Sequence, residues 1–80
     1  MTYVYILRSI TFPDEWYTGH TSDLRTRFRD HNAGRSVYTA KCRPWELVMY
    51  LAFANESRAI EFEKYMKSGA GRAFAHKHFR

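Results

Sequence analysis

Laid out as a β-strand, residues 2–9, TYVYILRS, have no water-facing side. Tyr3, Tyr5 and Leu7 point one way, and Val4 and Ile6 point the other. A strand of this kind needs cover on both faces, which limits an 80-residue chain more than any other feature in it. A chain so short buries only about 60–65% of its unfolded surface, so its core is thin. FPDE, residues 12–15, reads as a turn with Pro13 and Asp14 at suitable positions. EWYTGH then reads as a second strand, making residues 2–20 a hairpin. Gly19 near its end predicts a bulge or the close approach of another group.

Ser22 is a suitable N-cap for a helix running to about Ala33, with Asp23 complementing its dipole and Gly34 closing it. Leu24 and Phe28 form the core side of that helix. Residues 35–45 read as an irregular basic segment ending at Pro44. ELVMYLAF, residues 46–53, reads as a long apolar strand, expected at the centre of the sheet. Asn55 caps a helix over 56–68, ended by Gly69, and AGRAFAHKHF adds one short helix. The expected fold is α+β: a single domain, residues 1–80, with a small three-stranded antiparallel sheet flanked by helices in the order β-β-α-β-α(-α).

Within AIEFEKYMKSG, residues 59–69, the apolar stripe falls on Ala59, Phe62 and Met66, with Ile60 on its margin. Glu63 projects into that stripe, while Glu61 points outward. A carboxylate aimed at the interior is costly unless paired, protonated or bound to a metal. Arg27 is one partner for it. A divalent cation is another, because Mg²⁺ takes one or two carboxylates plus waters and phosphate oxygens. On the first helix, Arg27 and His31 are spaced i, i+4, so they share a face where the helix meets the sheet. Either Arg27 lays its stem on the core and His31 is a satisfied core histidine, or both belong to a site. Tyr5 and Tyr17 lie on the paired strands, where their hydroxyls can emerge together. They are equally ordinary strand residues.

The net charge of +5 includes nine arginines, whose planar forks fit phosphate oxygens two at a time. A basic domain of this size fits a nucleic-acid partner. No apolar run reaches the roughly 20 residues of a membrane span. The single Cys42 cannot form an internal disulfide, which fits a reducing, cytoplasmic setting. His76 and His78 lack the spacing of a zinc ligand set. GAGR lacks the Lys-Ser/Thr pair of a P-loop.

Taken together, these residues resemble the GIY-YIG nucleases, and most of all the small single-domain URI branch related to the UvrC excision-repair nuclease and intron-encoded endonucleases. The first half-motif appears as Tyr3-Val4-Tyr5 in YVYILRS and the second as Tyr17-Thr18-Gly19 in WYTGHT. SDLRTRFRDHNAGRS, YTAKCRPWELVMYLAF and AIEFEKYMKSG follow in the family's order. Tyr3 and Val4 stand where the motif's name has Gly and Ile, and Thr18 replaces the second Ile.

The resemblance implies a divalent-metal-dependent endonuclease acting on DNA, branched or single-stranded, in repair or recombination. Mg²⁺ or Mn²⁺ would be its cofactor. It assigns Glu63 as the metal ligand, Arg27 as the phosphate-binding arginine and Tyr17 as the activator of water. Tyr5 would hydrogen-bond the phosphate or share the base role. His31 would face the site, with Asn32 beside it. His20 stands where relatives carry a lysine or another polar group, and Tyr38 and Lys41 would hold substrate. A domain this small has little surface for reading bases, which leaves room for a separate specificity partner. A nucleic-acid-binding module of the same fold, without turnover, is the alternative.

Overall fold

The computed structural model describes residues 1–79. Its elements are β1 (Thr2–Ser9), β2 (Trp16–Thr21), α1 (Leu24–Asn32), β3 (Trp45–Phe53), α2 (Glu56–Lys67) and α3 (Gly69–His78). A 3₁₀ turn over Ala40–Cys42 breaks the segment between α1 and β3. This is the expected α+β order, with an antiparallel sheet of three strands.

The two-faced strand takes the only position where both faces and both edges are covered. The sheet order is β2-β1-β3, so β1 is central and Val4, Tyr5, Ile6 and Leu7 are all buried. Tyr5 and Leu7 join Trp45 in one cluster, closed over by Leu24 and Phe28 of α1. Ile6 joins Met66 of α2 and Ala75 of α3 in a second cluster on the opposite face. The sheet is therefore the middle of three layers, with α1 on one side and α2–α3 on the other.

β3 corrects the expectation of a central ELVMYLAF strand, because it lies at an edge. A continuous apolar run signals burial on both sides, but Leu47, Tyr50 and Leu51 of this run remain exposed. Each helix contributes a limited apolar stripe, which covers β1 on both faces but only part of β3.

The helix ends differ in detail from expectation. Asp23, not Ser22, caps α1: its carboxylate accepts from the Thr26 backbone N–H at 3.1 Å and from the Thr26 hydroxyl at 2.8 Å. Ser22 lies one residue too early for that reach. Asn55 caps α2 as expected. Ser68, rather than Gly69, marks the break after α2, and its hydroxyl caps α3 by accepting from the Gly71 N–H at 3.2 Å.

Candidate active site

Strand alternation sorts the site into two halves. Tyr5, Leu7, Tyr17 and Gly19 point to the α1 face, while Trp16, Thr18 and His20 point to the α2 face. Tyr5 pairs across the strands with Gly19, and Tyr17 lies diagonally beside it, with ring centroids 6.2 Å apart. A Cβ on residue 19 would stand 2.7 Å from the Tyr5 hydroxyl and 2.9 Å from the Tyr17 ring. The expected close approach at Gly19 is therefore by the two phenols themselves.

α1 supplies the rest of this half. His31, four residues after Arg27, is fully buried against both rings, 5.7 Å from Tyr5 and 4.9 Å from Tyr17 by centroid. Its Nε2 is 2.8 Å from the Tyr5 hydroxyl and its Nδ1 is 2.7 Å from the Thr39 hydroxyl. The Thr39 hydroxyl donates to the Ser36 carbonyl at 3.4 Å. It therefore accepts from Nδ1–H, which leaves Nε2 to accept the Tyr5 proton. Burial, reinforced by the charge of Arg27 and opposed by Asp30, pushes the His31 pKa down to about 4. The imidazole is thus a neutral acceptor at neutral pH. His31 is thus a satisfied core histidine whose Nε2 holds the Tyr5 hydroxyl.

Burial also pushes Tyr5 up to about 12, helped by Tyr17 and opposed by Arg27. The guanidinium of Arg27 interacts with both phenols. Its partial burial disfavours the cation, but the two hydroxyls outweigh this and raise its pKa.

The second half is an ion-paired carboxylate. Glu63 projects from α2 with its side chain 15% exposed, while Glu61 faces solvent. Its Oε1 is hydrogen-bonded to Nδ1 of His20, and its Oε2 accepts from Lys67 Nζ at 2.6 Å. Burial raises the carboxyl pKa, but Lys67 and His20 more than offset this, so Glu63 lies below its usual value. Arg27, weighed from sequence as a partner for Glu63, is instead the neighbour of the phenols. The negative charge of Glu63 nevertheless reaches Tyr5 and opposes its ionisation. The halves meet at β2, where Tyr17 and Thr18 share a cavity with Lys67.

The other candidates are dispersed. Both ends of the Asn32 amide hold the start of β3: Nδ2 donates to the Trp45 carbonyl at 3.1 Å, and Oδ1 accepts from the Trp45 N–H at 2.5 Å. Tyr38 is 92% exposed and Lys41 is also exposed, both on the segment before β3. Sequence reasoning missed Lys67 and Thr39. The i, i+4 spacing of Glu63 and Lys67 was a usable signal. Thr39, in an irregular stretch, offered none.

A divalent cation fits this chemistry within limits. Among the described residues no three His, Cys, Asp or Glu side chains group as a closed metal cage. One ionised carboxylate beside an imidazole nitrogen suits an ion that draws its other ligands from water and phosphate. The same oxygens already attract two basic groups.

Residues 1–75 match the GIY-YIG catalytic domain. The chain belongs to this family. Among similar proteins, UPF0213 protein YazA of Bacillus subtilis is 38% identical over 55 residues, 68% of this chain and 56% of that protein. The structure-specific endonuclease subunit SLX1 of Malassezia globosa is 36% identical over 63 residues, 74% of this chain and 14% of the subunit. The solution NMR structure of UPF0213 protein BH0048 from Bacillus halodurans aligns with a TM-score of 0.57 and 32% identity, covering 96% of this chain and 84% of that one. The chain spans about half the length of YazA and about a seventh of that SLX1 subunit.

Proposed function

We propose that this chain is a divalent-metal-dependent endonuclease that hydrolyses DNA phosphodiester bonds. The observation that carries this is the convergence of two phenols, a guanidinium and an ionised carboxylate about β2. Phosphodiester hydrolysis needs a proton acceptor for water, charge compensation at the phosphate and help for the leaving oxygen. Arg27 is the donor for the phosphate oxygens, already held beside both phenols. Tyr5 gives its proton to a hydrogen bond with His31 and resists ionisation, so it orients and hydrogen-bonds the phosphate. Tyr17 is then the residue that activates the attacking water, with the Arg27 guanidinium beside its hydroxyl. His20 and Glu63 would hold a Mg²⁺ or Mn²⁺ ion, which supplies charge neutralisation at the phosphate and leaving oxygen when bound. The resemblance to an endonuclease subunit named structure-specific supports branched DNA as substrate and a separate partner for specificity.

A second reading, a DNA-binding module without turnover, draws on one observation. Both Glu63 oxygens are already bonded to basic groups, which compete with any cation. Nicking of supercoiled plasmid with Mg²⁺ or Mn²⁺ separates the two. Wild type is expected to nick in a chelator-sensitive way, and Glu63→Gln and Arg27→Ala are expected to be inactive. DNA binding by wild type with no nicking above either variant, in either metal, selects the binding module.

A further inference from the structure

A cavity of about 280 Å³ opens beside the site, between β2 and the junction of α2 with α3. Trp16, Tyr17, Thr18, Met66, Lys67 and Arg72 line it. Two of the lining residues also belong to the site: Tyr17 lies beside Arg27, and Lys67 is bonded to Glu63. The cavity therefore borders the candidate site. Its charge is one-sided, with two cations and no carboxylate among the lining residues. Lys67 is partly neutralised by Glu63, but among the described residues no carboxylate pairs with Arg72. Arg72 sits in the first turn of α3, held by its backbone N–H on the Ser68 carbonyl at 2.9 Å, so its place is set by the capped helix start. Trp16 and Met66 supply an apolar wall opposite the charge.

A small recess with a guanidinium, an ammonium and an apolar wall matches one phosphate with the sugar attached to it. It lies at the lower limit of ligand-pocket volumes, about 300 Å³, and so suits part of a longer ligand. We propose that this cavity is a phosphate subsite in which Arg72, aided by Lys67, holds the nucleotide next to the cleaved linkage of a DNA strand. The proposal rests on the nuclease reading for its register, because Tyr17 and Lys67 tie the cavity to the reacting centre. Arg72 is a substrate-positioning residue in this scheme and takes no part in bond cleavage.

The test is fluorescence anisotropy of the full chain with a labelled single-stranded DNA oligonucleotide in chelator, titrated with salt. Plasmid nicking is run in parallel. Arg72→Gln is expected to weaken binding about 5–10-fold and to reduce the slope of log K against log salt by roughly 0.7, the loss of one single-strand phosphate contact. Arg72→Lys is expected to recover most of both. Arg58→Gln removes another exposed charge, on α2 beside Phe53 and Tyr65 and away from this cavity, and is expected to change affinity less than about two-fold. Equal losses from Arg72→Gln and Arg58→Gln would overturn the subsite in favour of a diffuse basic field. An Arg72→Gln variant that binds and nicks like wild type would overturn it while leaving the nuclease reading intact. Arg72-dependent binding with no nicking in any metal would defeat the nuclease reading and the register, leaving only a phosphate-binding cavity. No DNA binding by wild type would overturn both.

Discussion

The two halves of the site are built on opposite principles. On the α1 face, Tyr5, His31 and Thr39 form a buried chain of hydrogen bonds with no polar atom left over. On the α2 side, Glu63 is held by His20 and Lys67, both well exposed, in contacts that water and salt can replace. Burial makes the first half rigid and intolerant of loss. Charge pairing makes the second half exchangeable. The contrast teaches that orientation and charge supply are separated across β2.

Variants can break this contrast from either side. The largest effect is expected in catalysis. Glu63→Gln or Arg27→Ala should lower nicking by at least about 10²–10³-fold, the range for removing one charge-stabilising group. Urea denaturation should register less than about 1 kcal/mol for Glu63→Gln, because its partners are exposed. His31→Ala should do the reverse in kind. Leaving Tyr5 and Thr39 unpartnered in a buried space should cost about 2–4 kcal/mol, read as a lowered urea midpoint.

The pH dependence sharpens the same contrast. His31 has its folded pKa depressed to about 4, so the unfolded chain binds its proton first as pH falls. That stability is fully present above the unfolded value of about 6.5 and declines as pH drops toward 4, by up to about 3 kcal/mol. Glu63 acts only lower down. Its depressed pKa gives stability above the ordinary carboxylate range that is lost as pH falls through its folded value. Urea melts from pH 7 to 4 should show the decline, and His31→Gln should flatten it. A slope unchanged in that variant assigns the titration elsewhere.

Gly19→Ala should come next, with a loss of about 1–3 kcal/mol from overpacking against the Tyr5 and Tyr17 rings and a larger loss of nicking. The smallest effect is expected from Arg35→Ala. It removes a surface pair with Asp30 at 2.9 Å and should shift stability by no more than about 1 kcal/mol in thermal melts.

Much of this was legible in the chain. The two-faced apolar pattern of TYVYILRS required a covered strand, and helical projection separated Glu63 from Glu61. The i, i+4 step brought Arg27 and His31 to one face. What stayed hidden depended on tertiary competition. β3 and β1 carry similar apolar runs, and only the limited supply of covering helix decides which is central. The partners of Glu63 lie 43 residues away on β2 as well as one turn along α2, and the first distance has no local signature. Asn32 fitted the family motif, but its amide is what joins α1 to β3.

Thr39 sits in a stretch between α1 and β3 whose only regular element is one 3₁₀ turn, and it is the far anchor of the His31 imidazole. Segments with so few ladder hydrogen bonds open more readily than the sheet beneath them. When this one opens, His31 loses its anchor and Tyr5 its fixed direction while the strands remain paired. A chain still mostly folded but loosened here would lose the alignment of Thr39, His31 and Tyr5.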